Sequence, residues 1–245
     1  MEVKAIEVNQ LSFGYGEVPI LRDVSFSVEE GEFVTIVGPN GGGKTTLLRL
    51  MTGLLIPWSG SVRIYGKSPR ENGHLIGYVP QQMLLDRRFP ITVEEVVLSG
   101  RLKPWGWYSQ RDREIAHEAL DRVGLSEMRK RQFSQLSGGQ MQRMLIARAL
   151  ASEAALLFLD EPAASIDDES EQQLSAILAE LKKNHTIVVV THDTGFVDMI
   201  TDRVLCIHQT ICEHVSVDDG VSQKYGYAAG YVHIRHDTEK GEEKA

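Results

Sequence analysis

The chain has 245 residues, 42% of them hydrophobic, with a formal net charge of −8. That length and apolar content exclude a disordered chain and allow one large domain or two modest ones. The acidic balance argues against nucleic acid or anionic lipid as partners, and the local cluster Arg129, Lys130 and Arg131 reads as a solvated surface turn.

No apolar run reaches the roughly 18 residues of a membrane span, and the N-terminus lacks a secretory pattern, so the expectation is a soluble cytoplasmic chain. The two cysteines, Cys206 and Cys212, are too few for a disulfide framework and suit reduced thiols.

Between Val3 and Val28 apolar residues alternate loosely, as in half-buried strands of an antiparallel layer. Within it, Tyr15 stands between Gly14 and Gly16, where an exposed ring could stack on a nucleobase; a place in the core is the alternative. The β-branched run from Phe33 to Val37 then leads into Gly38, Pro39, Asn40, Gly41, Gly42, Gly43, Lys44, Thr45 and Thr46. This is the phosphate-loop spacing G-x-x-x-x-G-K-[ST] in its strand-loop-helix setting. Consecutive glycines let backbone amides turn inward on a phosphate chain, and the following helix adds its positive end. Lys44 would reach the terminal phosphates and Thr45 would hold Mg²⁺. Strands are also expected over 60–66 and 75–79, the second stopping at Pro80.

From Thr92 to Gly124 the apolar period turns helical, which points to an inserted helical subdomain. Ser109 and Asp112 make a capping-box start, Ile115, Ala119, Leu120 and Val123 an apolar stripe, and Gly124 the stop. Before it, Trp105, Trp107 and Tyr108 lie in a Pro/Gly-interrupted surface segment, suited to a partner or to internal packing.

From Ala155 strands return. The continuous apolar run 155–159 reads as a buried parallel strand ending in Asp160, Glu161 and Pro162. A helix carrying Leu174, Ile177, Leu178 and Leu181 follows, then a buried strand over 186–190 ending near His192. Such alternation predicts a parallel sheet whose active edge lies at the carboxyl ends of its strands. Asp160 there can hold Mg²⁺ through its water shell, and Glu161 is the natural general base toward water. Leu136, Ser137, Gly138, Gly139 and Gln140 form a second Gly-rich helix start. One chain thus carries two phosphate-cradling helix starts but one lysine and one metal acid. Two copies facing head to tail, each completing the other's site, resolve the mismatch.

At these residues the sequence resembles the ATP-binding subunit of an ABC transporter, from about Val3 to about Val215. The resemblance implies a P-loop NTPase (RecA-like) α/β core with an antiparallel β layer and an inserted α-helical subdomain, ATP and Mg²⁺ as cofactors, and hydrolysis coupled to transport. The layout it implies is an ATPase domain over 1–217, with a helical subdomain over about 81–151, and a loosely structured tail over 218–245. By resemblance, Tyr15 stacks on adenine, Gln81 senses metal and γ-phosphate, and Ser137 to Gln140 bind the ATP of the opposite subunit. Asp167 would lie in the dimer contact and His192 would hold γ-phosphate. Ala163, Ala164 and Ile166 depart mildly from the family pattern, in the dimer contact rather than the chemistry.

Residues 77–82 with Phe89 to Val97, Gly100 and Arg101 resemble the subgroup serving zinc and manganese importers, parts of which iron-chelate and cobalamin importers share. The partners implied are a multi-span permease and a separate substrate-binding protein, with this chain peripheral on the inner face of the membrane. A soluble ATPase of iron–sulfur assembly is compatible with the length; a non-hydrolysing module is disfavoured by Glu161 and His192. Cys206, His208, Cys212 and His214 are candidate metal ligands, but 204–215 reads more simply as a hairpin.

Overall fold

The computed structural model describes residues 3–81, 86, 88–101, 107–164, 166–192, 195 and 200–215, the side chains of 212–215 excepted. Two sheets organise it. The smaller is antiparallel, ordered β2-β1-β4, from β1 (Lys4–Tyr15), β2 (Val18–Glu29) and β4 (Ser59–Ile64). The larger is ordered β5-β6-β7-β3-β8-β9. Its members are β3 (Phe33–Val37), β5 (Ile76–Val79), β6 (Leu156–Asp160), β7 (Thr186–Thr191), β8 (Arg203–His208) and β9 (Thr210–Val215). All its pairings are parallel except β8 with β9, which form the expected hairpin.

The period of two along these strands divides the core. In β6, Leu156 and Phe158 face an apolar cluster shared with the small sheet and α1 (Lys44–Met51), whereas Leu157 and Leu159 join a second cluster. That second cluster also takes in α2 (Val93–Leu98), α3 (Gln110–Arg122), α4 (Gly138–Ala151) and α5 (Asp168–Lys182). The helical segment therefore does not keep a core of its own. Helix α4 is buried at Met144, Leu145, Ile146 and Ala147 and packs on α2, α3, α5 and β5, so insertion and sheet share one continuous interior. Leu120 is fully buried in it, and Leu120→Ala would cost about 2–5 kcal/mol.

Local signals set the helix starts. Ser109 and Asp112 close a capping box at α3, as do Thr92 with Glu95 at α2 and Ser137 with Gln140 at α4. The helical stretch expected over 92–124 is broken between α2 and α3, where residues 102–106, Trp105 among them, lie outside the described set. Trp107 is 96% exposed, so internal packing does not account for it. The tail expected over 218–245 also lies outside the described residues. Among the described residues no helix is long and apolar enough to cross a membrane.

Candidate active site

The carboxyl ends of β5, β6, β7 and β3 lie side by side, so the chain segments leaving them deliver Gln81, Asp160 with Glu161, His192 and the phosphate loop to one edge. The loop itself needs its glycines. A Cβ on Gly38 would lie 2.2 Å from the Ile207 carbonyl oxygen, and Gly41 and Gly43 hold φ of +79° and +102°. The Gly42 amide donates to the Pro39 carbonyl at 3.0 Å. Gly43 caps α1 without a side chain, which leaves the amides of the first turn free for an anion. Lys44 folds back over the loop: Nζ donates to the carbonyls of Gly38 at 2.9 Å and Pro39 at 3.2 Å.

Two carboxylates stand at the end of β6, and one of them, Glu161, forms the opposite wall. Thr45 Oγ1 donates to Asp160 Oδ1 at 3.0 Å, joining the helix start to the end of β6. Asp160 is 2% exposed; burial raises its carboxyl above the usual range, against the hydrogen bond from Thr45 and together with the neighbouring Glu161 charge. Glu161 Oε1 lies 3.6 Å from Lys44 Nζ, and Glu161 Oε2 accepts from His192 Nδ1 at 2.7 Å and from the His192 amide at 3.3 Å. The Glu161 backbone has φ +49°, a left-handed conformation that costs about 1–3 kcal/mol in a residue with a side chain. The Glu161 amide, donating to the Val190 carbonyl at 2.8 Å, helps hold it there.

These walls enclose a cleft of about 360 Å³ whose lining includes Tyr15, Asn40, Lys44, Thr45, Gln81 and Glu161. Tyr15 is thus at the cleft and half exposed, which decides between the two places open to it. Ser137, Gly138, Gly139, Gln140 and Asp167 do not line it. They gather elsewhere: Gly139 presses on Ser170, whose Oγ would lie 2.2 Å from a Cβ at 139, and Ser170 is capped by Asp167. Ser137 and Gly138 are exposed at the start of α4. The hydrogen bonds from the Ser170 amide and then its hydroxyl hold the Asp167 carboxyl below its usual range.

The hairpin sets Cys206 opposite Cys212, but the side chains of Cys212 and His214 lie outside the described set. Among the described residues no cluster of three metal-ligating side chains occurs. Sequence reasoning missed Tyr78, whose hydroxyl donates to Asp160 Oδ2 at 3.4 Å. Tyr78 and Phe158 are paired across β5 and β6, a register that no local pattern encodes. Burial, then the Asp160 charge, pushes the Tyr78 phenol up to about 12.

A phosphate loop tied through its threonine to a strand-end aspartate, with a second carboxylate fixed by histidine, defines a P-loop nucleoside-triphosphate hydrolase. The family model described as ABC transporter matches residues 21–164, and the chain belongs to that family, whose cassettes bind and hydrolyse ATP. It is 42% identical to the manganese transport system ATP-binding protein MntB of Bacillus subtilis, covering 83% of each chain. To the zinc transport system ATP-binding protein TroB of Treponema pallidum it is 39% identical, over 90% of this chain and 85% of that one. Among solved structures, an inward-facing metal-chelate-type ABC transporter matches with a TM-score of 0.78 and 33% identity, covering 86% of this chain and 83% of that one. The dimeric structure of a bacterial ABC transporter cassette matches with a TM-score of 0.74 and 31% identity, covering 86% and 98%.

Proposed function

We propose that this chain is the ATP-hydrolysing subunit of an importer for a divalent transition-metal ion of the manganese or zinc kind. It works as a head-to-tail pair with a second copy, beneath a multi-span permease on the cytoplasmic face, supplied by a separate substrate-binding protein. Residues 1–217 form the ATPase domain, with the helical subdomain over about 81–151, and 218–245 a tail. The observation that carries the hydrolytic reading is Glu161, fixed by His192 at 2.7 Å on the wall of a cleft that also presents Lys44. The likeness to manganese and zinc transport subunits supports the choice of cargo.

In this reading Tyr15 stacks on adenine, the amides of 38–46 bind the phosphates, and Lys44 leaves its carbonyl partners for the terminal phosphate oxygens. Glu161 takes a proton from the attacking water as the water oxygen bonds to the γ-phosphorus and the bond from that phosphorus to the bridging oxygen breaks, giving ADP and inorganic phosphate. His192 holds the Glu161 carboxylate and contacts the γ-phosphate. Mg²⁺ fits the residues present. Thr45, Asp160 and Gln81 offer hard oxygen donors, and of the two adjacent buried carboxylates only Glu161 faces the Lys44 ammonium, leaving room for positive charge at Asp160. When bound, the ion neutralises charge on the β- and γ-phosphate oxygens. Ser137 to Gln140 and Asp167 act on the ATP of the second copy; their absence from their own chain's cleft supports this.

A second reading, import of a metal chelate such as an iron chelate or cobalamin, draws on the likeness to the metal-chelate-type transporter. Uptake by vesicles carrying the chain with its cognate permease and binding protein separates the two. ATP-dependent accumulation of Mn²⁺ or Zn²⁺, lost in Glu161→Gln, is expected; accumulation of chelates alone would overturn the proposal.

A further inference from the structure

Tyr15 sits at the tip of the β1–β2 hairpin, and the ladder leading to it is irregular: the register shifts between Leu11 and Phe13 and again between Phe13 and Gly14. Backbone pairing alone therefore does not fix the ring. Phe13 meets Tyr15 edge to face, with centroids 5.2 Å apart and planes at 88°. On the side of Phe13 lies Trp58, 6.1 Å away and tilted by 37°. Both distances fall in the range of attractive aromatic pairs. Trp58 is anchored by its amide, which donates to the Ser12 carbonyl at 2.9 Å. Its indole edge fills the notch that the missing side chain of Gly14 leaves: a Cβ there would lie 2.4 Å from Trp58 Cη2 and 2.1 Å from the Val18 carbonyl oxygen.

Trp58 is 52% exposed and does not line the cleft, so it is neither a core residue nor a direct contact of the bound nucleotide. We infer that Trp58 is a positioning residue for the adenine subsite. Seated against Gly14, it fixes Phe13, and Phe13 fixes the Tyr15 ring at the mouth of the cleft in the orientation that receives a base. The contact pre-organises the stacking face, and so sets how strongly a purine nucleotide is preferred to bare polyphosphate. It rests on the assignment of Tyr15 as the base-stacking ring.

The test is equilibrium binding of ATP and of inorganic tripolyphosphate to the full-length chain carrying Trp58→Ala, Trp58→Leu, Trp58→Phe or Tyr15→Ala. Trp58→Ala and Trp58→Leu should weaken ATP about three- to ten-fold, a share of the stacking contact. Tripolyphosphate affinity and turnover at saturating ATP should stay unchanged, and Trp58→Phe should recover most of the loss. Normal ATP affinity in Trp58→Ala and Trp58→Leu, with Tyr15→Ala impaired, overturns the role of Trp58 and leaves the Tyr15 assignment standing. Normal affinity in Tyr15→Ala overturns both. Equal loss for ATP and tripolyphosphate in Trp58→Leu overturns the proposal in favour of a general structural role.

Discussion

Glu161 Oε2 and His192 Nδ1 lie 2.7 Å apart, binding the end of β6 to the end of β7. The bond fixes one carboxylate oxygen, while the other stays 3.6 Å from Lys44 at the cleft. A carboxylate so held can take a proton from water without first finding its place. Glu161→Gln keeps the shape and the loop amides but removes the proton acceptor. ATP binding should persist while turnover falls by about 10² to 10⁴. Near-normal hydrolysis would contradict the assignment.

Much of this site was legible because it is local. The loop glycines, Lys44 and Thr45 are contiguous, and Asp160 with Glu161 closes an unbroken apolar strand, so spacing alone identified them. The spatial row of strand ends followed from strand-helix alternation. What stayed hidden depends on register and packing: Tyr78 on Asp160, Trp58 in the notch of Gly14, and Tyr15 at the cleft rather than in the core. The shared interior of sheet and helical insertion was hidden too, because an apolar stripe such as Ile115 to Val123 does not say which surface it meets.

Phe89 is 55% exposed just ahead of α2, downstream of Gln81 at the cleft, and Trp107 is exposed nearby in sequence; Leu85 lies outside the described residues. Exposed rings of this size suit a partner surface. Phe89→Asp should leave basal ATP hydrolysis intact and abolish co-purification with the cognate permease. An intact, transport-competent complex would place the docking surface elsewhere.

His185, after the end of α5, is half-buried with Nδ1 3.0 Å from the Leu181 carbonyl oxygen. Burial holds the imidazole below its ordinary value of 6.5, against that hydrogen bond and with the nearby Arg122 charge. The folded chain thus binds fewer protons here than the unfolded one, and stability contributed above pH 6.5 is lost as pH falls through the lowered value. The melting temperature should drop as the pH falls from 6.5 through the lowered value, and His185→Gln should reduce that drop. Identical pH profiles for the two proteins would rule out His185 as the source.

The head-to-tail arrangement is tested most directly by mixing two inactive variants. Ser137→Arg blocks the exposed start of α4, and Lys44→Ala disables the phosphate loop. A pair with one chain of each kind contains one site built from an intact Lys44 and the other chain's intact Ser137. The account predicts that each variant alone hydrolyses no ATP and that the mixture recovers turnover. A mixture as inactive as its components would contradict a site shared between two copies.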